Sequence, residues 1–342
     1  MKDIQQLNKK ILKNIPIFFA VDDNYATFLA VALKSIQQNS SRNYFYSVFV
    51  LNAGLKEETM VKLSNMQDEN YEINFVNVQK ELAKIGGVLH TRDYYTKSTY
   101  YRLFIQKLFP QFDKVLYLDS DIVVLGDISQ LYNQDLKNNL VGAVIEDVMQ
   151  NVDVFGTYVE ECLDIDRKQY FNAGILLMNL KLFRDENVEG QFLNLISRFK
   201  FAVTQDEDYL NVICKQRVKY FDLAWNKSPM QDDTFDDSKV KLVHYKMNLK
   251  PWHYDNIKYE NYFWEYASQT AFIEEIQSIK QNYSQENKLK DEISYNNLVN
   301  LALSEIARED SYKKVMQKRK SELRFTGKDG VLWQMLSKTN LG

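Results

Sequence analysis

The sequence predicts an α/β fold, a mainly parallel central sheet with helices on both faces, followed by a helical appendage. Three observations carry this expectation. Short apolar runs bounded by turn residues alternate with stretches of helical spacing. Two of the runs end in paired acids, Asp119-Ser120-Asp121 and Glu146-Asp147. Beyond Ser268 the composition turns to Gln, Asn, Lys and Glu, with no glycine until Gly327. The catalytic α/β unit is therefore expected at 1–268 and a helical add-on at 269–342.

The chain has 342 residues, 45% hydrophobic and 13% aromatic, enough for one large packed domain and an appendage. A net charge of -3 argues against nucleic acid as a partner. Cys162 and Cys214 lack metal-ligand spacing and are too few for a disulfide framework, so both read as buried thiols. Residues 1–14 are charged and lack the apolar centre of a signal peptide. No run reaches the roughly 18 apolar residues of a membrane span. With so few cysteines, a cytoplasmic location is expected.

Ile15 to Val21 reads as the first buried strand, with Pro16 tolerated at its start. Asp22, Asp23, Asn24 and Tyr25 follow it, then a helix through Leu29, Val31, Leu33 and Ile36. The acids either cap that helix or touch a ligand. No G-x-G-x-x-G or G-x-x-x-x-G-K fingerprint is present, which argues against a dinucleotide enzyme or a P-loop NTPase. Tyr46 to Leu51 and Glu72 to Val78 read as further strands around a helix near Lys56–Met66. Helical spacing returns in Tyr101, Phe104, Ile105 and Leu108. Arg102 among them is either a solvated flank or a clamp for pyrophosphate or carboxylate.

Val115 to Leu118 is apolar throughout, as a strand buried on both faces must be. It ends in Asp119-Ser120-Asp121, where open α/β sheets bind ligands. Two hard carboxylate donors there suit Mg²⁺ or Mn²⁺ held against a diphosphate. The alternative is a polar turn, because Asp-x-Asp recurs at Asp164/Asp166 and Asp206/Asp208. Val141 to Ile145 ends in Glu146-Asp147 and lines the same crevice, while 150–169 reads as a polar loop. Tyr170 to Gly174 then leads into the strand ILLMNL. Asp206, Glu207 and Asp208 open another helix, a placement the helix dipole favours whatever their role. A strand over Val240 to Tyr245 carries His244, with Lys250 just beyond; His90 and His253 complete the histidines.

In order, the segments FFAVDDNYATFLAVALKSI, STYYRL, KVLYLDSDIVV, YFNAGILLMNL, QDEDYLN and HYKMNLKPW resemble glycosyltransferase family 8. These are retaining transferases of the GT-A fold, and the resemblance covers about residues 15–265. It implies a Rossmann-like GT-A domain transferring galactose or glucose from a UDP-sugar with Mn²⁺ or Mg²⁺. It implies Asp119, Asp121 and His244 as metal ligands, with Ser120 between them on the donor. Ala20, Asp22, Asn24 and Tyr25 would surround the uridine, Arg102 the donor phosphates or sugar, and Lys250 the β-phosphate. Glu146, Asn172, Asp206 and Glu207 would surround the transferred sugar or the acceptor. Two positions depart from the family's usual residues: Glu207 stands for Gln, and Met247 for Gly.

The acceptor implied is a glycan, protein-linked on a surface adhesin, with lipopolysaccharide-type acceptors as the alternative. A nucleotidyltransferase lacks support, since its glycine-rich loop is absent. An inactive nucleotide-sugar-binding subunit is disfavoured because all three metal ligands are present. Lys313, Lys314, Lys318, Arg319, Lys320, Arg324 and Lys328 crowd the end of the appendage. They form either a solvated helix face or a contact for a glycosylation complex or the anionic inner membrane face.

Overall fold

Seven strands form the central sheet: β1 (Lys13–Ala20), β2 (Tyr44–Asn52), β3 (Tyr71–Asn77), β4 (Lys114–Leu118), β6 (Val141–Ala143), β7 (Ile175–Asn179) and β8 (Val218–Tyr220). This computed structural model describes residues 2–83 and 97–325, without the side chains at 82–83, 97–99 and 323–325. The strand order is β3-β2-β1-β4-β7-β6-β8. Strand β7 runs antiparallel to both its neighbours, β4 and β6, and the other pairs are parallel. β5 (Ile122–Val124) and β9 (Leu242–His244) form a separate antiparallel pair.

Pleating divides the core between the two faces of the sheet. Ile15, Ile17 and Phe19 of β1 pack in one cluster, with Leu116 and Leu118 of β4 and the helix Asp23–Asn39. Phe18, Val115 and Tyr117 point the other way, into a second cluster. This period of two, buried on both sides, is why these strands read as unbroken apolar runs. Pro16 is not at the start of its strand, because β1 begins at Lys13. It pairs with Ser47 of β2, and pairing with β4 begins only at Ile17. The amide that proline lacks is therefore not missed.

The segment 150–169 is not the expected loop. A helix over Asp153–Cys162 buries Phe155, Tyr158, Val159 and Cys162, an i, i+3, i+4, i+7 stripe. Its acids and Gly156 disguise that stripe in the sequence. Residues Lys97–Phe104 form a 3-10 turn, and only Ile105–Leu108 continues as α-helix. Cys162 and Cys214 are both buried free thiols, as expected.

Beyond Ser268 lie three helices, Ile273–Gln281, Gln285–Ala307 and Tyr312–Phe325. The long middle helix packs against the α/β unit. Its buried residues are Asp291, Leu298 and Ala302. Leu298 and Ala302 join the second core cluster beside Phe155, Tyr158 and Val159. Asp291 accepts hydrogen bonds from Tyr254 Oη at 2.7 Å and Tyr283 Oη at 2.6 Å. Its carbonyl accepts from Asn248 Nδ2 at 3.1 Å. Among the described residues, no helix is long and apolar enough to cross a membrane.

Candidate active site

A cavity opens where β4 ends and β5 leaves the main sheet. Asp119 follows the last residue of β4, and Asp121 immediately precedes β5. β5 turns out of the sheet to pair with β9, placing Ile122 opposite His244. The Tyr245 amide donates to the Asp121 carbonyl at 2.9 Å and locks this register. One ligand atom each from Asp119, Asp121 and His244 then lies within 4.8 Å of the others. His244 Nε2 is 3.2 Å from Asp121 Oδ1 and 3.9 Å from Asp119 Oδ2.

Asn226 orients the imidazole. Its Nδ2 donates to Asn172 Oδ1 at 2.8 Å, leaving its Oδ1 to accept from His244 Nδ1 at 3.0 Å. That assigns the proton to Nδ1 and turns the Nε2 lone pair toward the two carboxylates. Gly174 makes room for the arrangement. A Cβ there would lie 2.5 Å from Asp119 Oδ2 and 2.5 Å from His244 Cε1, so only glycine fits. Two carboxylates and an imidazole are a donor set for a divalent ion between hard and borderline, which suits Mn²⁺ and also Mg²⁺.

Each acid of the pair has a cation. Lys250 Nζ bonds to Asp121 Oδ2 and to the Tyr245 carbonyl. Lys250 holds the Asp121 carboxyl below the usual range, against the opposing effect of its burial. Arg102 is no solvated flank, being 3% exposed. Its Nη2 is 3.2 Å from Asp119 Oδ1, and its Nε is 3.2 Å from Asp206 Oδ2. Its guanidinium also stacks over the Tyr117 ring at 4.3 Å, and Tyr117 Oη donates to Asp119 Oδ1 at 3.1 Å. One arginine thus ties the metal-side acid to the helix-start acid.

The opposite wall holds a second group of acids. Glu146 caps a helix, accepting from the Val148 amide at 3.2 Å. It also accepts from Asn172 Nδ2 at 2.5 Å and faces Lys246 Nζ at 2.8 Å. Glu207 Oε2 accepts from the Ala173 amide at 2.8 Å and from Asn172 Nδ2 at 3.2 Å. Burial and the neighbouring Glu146 push the Glu207 carboxyl well above its ordinary value. Burial raises the Glu146 carboxyl as well, against the opposing effect of Lys246, which it shares with Asp147 at 2.7 Å. Asp208 plays a structural part. Fully buried, it accepts from Tyr158 Oη and Tyr170 Oη at 2.8 Å each and from the Thr204 amide at 3.1 Å.

The cavity brings together Ala20, Asp22, Tyr25, Arg102, Asp119, Ser120, Asp121, Glu146, Asn172, Asp206, Glu207, His244 and Lys250. Asp22 caps its helix, accepting from the Asn24 and Tyr25 amides at 3.0 and 3.1 Å, and also lines the cavity. Asn24 is exposed and lies outside the lining. His253 stacks on Tyr283 at 3.8 Å, away from the cavity lining, and His90 lies outside the described residues. The structure adds Tyr117, Lys246 and, from the appendage, Ser294, Tyr295 and Leu298. Lys246 stands two residues after His244 and was in plain sight. Nothing local to Ser294 or Tyr295 marks them.

Met247 has φ 50°. Glycine occupies that left-handed region without penalty, whereas an L side chain there costs about 1–2 kcal/mol. A glycine at this loop position therefore has a backbone reason, and methionine is held there by its surroundings. At the chain's end, Lys313 pairs with Glu161 at 3.0 Å and Lys314 reaches the Arg308 carbonyl at 2.6 Å. Lys318, Arg319 and Lys320 are exposed. The side chain of Arg324, and Lys328, lie outside the described residues.

A family model, Glycosyl transferase family 8, matches residues 16–256. The lipopolysaccharide 1,2-glucosyltransferase of Escherichia coli (strain K12) is 29% identical over 279 residues, which are 75% of this chain and 79% of that protein. The galactosyltransferase LgtC, solved with donor and acceptor sugar analogs, is 28% identical with a TM-score of 0.63. That match covers 75% of this chain and 96% of LgtC. The bifunctional glycosyltransferase WbbM, solved in its apo form, has 28% identity and a TM-score of 0.69. This chain matches 79% of its own length there but about half, 52%, of WbbM.

Proposed function

The chain belongs to glycosyl transferase family 8, and from that premise we propose that it moves galactose or glucose from a UDP-sugar to a glycan, with retention at the anomeric carbon. The observation that carries the reading is the convergence of Asp119, Asp121 and His244 within 4.8 Å, with Lys250 on the same edge. The residues fit a divalent ion, Mn²⁺ or Mg²⁺, which when bound would neutralise charge on the donor's diphosphate. Lys250 would bind the β-phosphate as negative charge grows on the leaving UDP. Asp22, Tyr25 and Ala20 line the end of the cavity suited to the uridine. Asp206, fixed by Arg102, would face the cationic sugar centre as the bond to UDP breaks. Glu207, its carboxyl raised by burial, would face the sugar in place of an amide.

The acceptor we infer is a cell-surface glycan, met on the cytoplasmic side where nucleotide sugars are made. A protein-linked glycan on an adhesin is the first candidate. The lipopolysaccharide-acting relative favours a lipopolysaccharide-type acceptor as the second. The test is UDP-galactose and UDP-glucose hydrolysis by the purified chain with Mn²⁺, Mg²⁺ or EDTA, followed by transfer to glycans of both kinds. Release of UDP that EDTA abolishes is expected. Metal-independent release, or none from either donor, overturns the reading.

A further inference from the structure

The cavity lining is of two kinds. The metal triad, Lys250 and Asp22 are polar and charged. Val148, Met149, Phe155, Met247, Tyr295 and Leu298 are largely apolar. Two of those six stand on the helix Gln285–Ala307, outside the family match at 16–256. That helix is held firmly in register. Asp291 anchors its first turns to Tyr254 and Tyr283, and Leu298 and Ala302 are buried against the helix Asp153–Cys162. Tyr295 lies one turn from Asp291 and three residues from Leu298, so the same docking aims it at the cavity mouth.

Tyr295 is unusual among large side chains that line a pocket. It is 39% exposed, with its ring at 82° to that of the fully buried Phe155 and the centroids 6.4 Å apart. A part-exposed aromatic ring backed by a buried one thus lines the cavity. Pyranose rings carry one face of C–H groups with little polarity, which packs on such an aromatic surface while the hydroxyls stay hydrogen-bonded. Ser294, beside it in the lining, supplies a hydroxyl at the same rim.

We propose that Tyr295 is the platform on which the acceptor's terminal hexopyranose stacks, making the appendage helix one wall of the acceptor site. The inference rests on the transferase reading above. It makes acceptor choice a property of residues C-terminal to the family's common region.

The experiment uses the full chain with Mn²⁺ and labelled UDP-galactose or UDP-glucose, and an array of hexose-terminated glycans. Hydrolysis to free sugar is measured beside transfer. For the best acceptor of the wild-type chain, Tyr295→Ala should raise the acceptor KM about tenfold or more. The ratio of transfer to hydrolysis should fall by the same factor. Tyr295→Phe, which keeps the face and drops the hydroxyl, should restore both to within about threefold of wild type. An unchanged ratio in Tyr295→Ala overturns the proposal, as does hydrolysis with no transfer to any hexose-terminated glycan. Failure of the wild-type chain to hydrolyse either donor is a different result, and it overturns the transferase reading itself.

Discussion

The two acid clusters of the cavity are chemically opposite. Asp119 and Asp121 each have a cation, Arg102 and Lys250, and an imidazole between them. That arrangement suits the binding of positive charge, and the Asp121 carboxyl is held below its usual range. Glu146 shares Lys246 with Asp147, and Glu207 accepts from the Ala173 amide and the Asn172 side chain. Burial on that side disfavours charge. A nucleotide-sugar transferase needs both, a charged end for the diphosphate and a less charged end for the sugar. Arg102, bonded to Asp119 and Asp206, joins them.

The sharpest way to break the contrast is at the charged end. Asp121→Asn should lower metal-dependent turnover by roughly 1000-fold or more, about 4 kcal/mol of barrier. Gly174→Ala should match it, because the added methyl cannot coexist with Asp119 and His244 where they stand. Steady-state release of UDP with Mn²⁺ measures both. If either keeps wild-type turnover, the triad is not the donor site.

At the junction, Asp206→Asn removes the charge paired with Arg102, the one proposed to face the sugar. Turnover should fall about 100-fold, near 2.7 kcal/mol, with donor binding changed much less. A loss confined to the donor KM would assign Asp206 to binding alone.

Away from both clusters, Asp291→Ala tests how much the appendage depends on its anchor. Two tyrosine hydroxyls lose a buried acceptor, and destabilisation of about 2 kcal/mol is expected. Thermal melting should move by several degrees, with the acceptor KM rising in parallel. A melting curve that overlays the wild type would show the helix held by its apolar stripe alone.

The smallest effect should come from the end where burial disfavours charge. Glu207→Gln places a neutral amide there, and turnover should stay within about threefold. The pH dependence should differ. Glu207 binds its proton more tightly when folded than at its ordinary value of 4.5. Between that value and its raised folded value, the folded chain keeps a proton that the unfolded chain has released. Its contribution to stability therefore falls as pH rises through the window. Glu207→Gln should flatten that slope in denaturant melts taken from pH 5 to 8, and should also relieve any alkaline loss of turnover. Identical slopes in the two proteins would mean that Glu207 is ionised.

Much of this was legible in one dimension. Apolar runs such as Val115–Leu118 marked strands buried on both faces, because a pleated strand between two helix layers has no polar side. The ordered segments around Asp119, Asn172, Asp206 and His244 carried the family, and every one of those residues lines the cavity. The helix Asp153–Cys162 was missed, since its apolar stripe is interrupted by acids and a glycine. The role of Arg102 stayed open in the sequence, because a clamp and a solvated flank have the same local spacing.

By itself, then, the sequence determined most of the strand segments, though not Val218–Tyr220, and the acids that end two of them, since these follow from periodicity and composition along neighbouring residues. Only the tertiary structure decided which acids share cations and which are buried with their carboxyls raised. It also brought Ser294 and Tyr295 to the cavity from a part of the chain beyond the family match at 16–256. The physical reason is range. Hydrophobic patterning is written between residues a few positions apart, whereas ion pairing and burial depend on what the fold carries across 17, 100 or 129 positions, as from Arg102 to Asp119, Glu146 to Lys246 and Asp121 to Lys250.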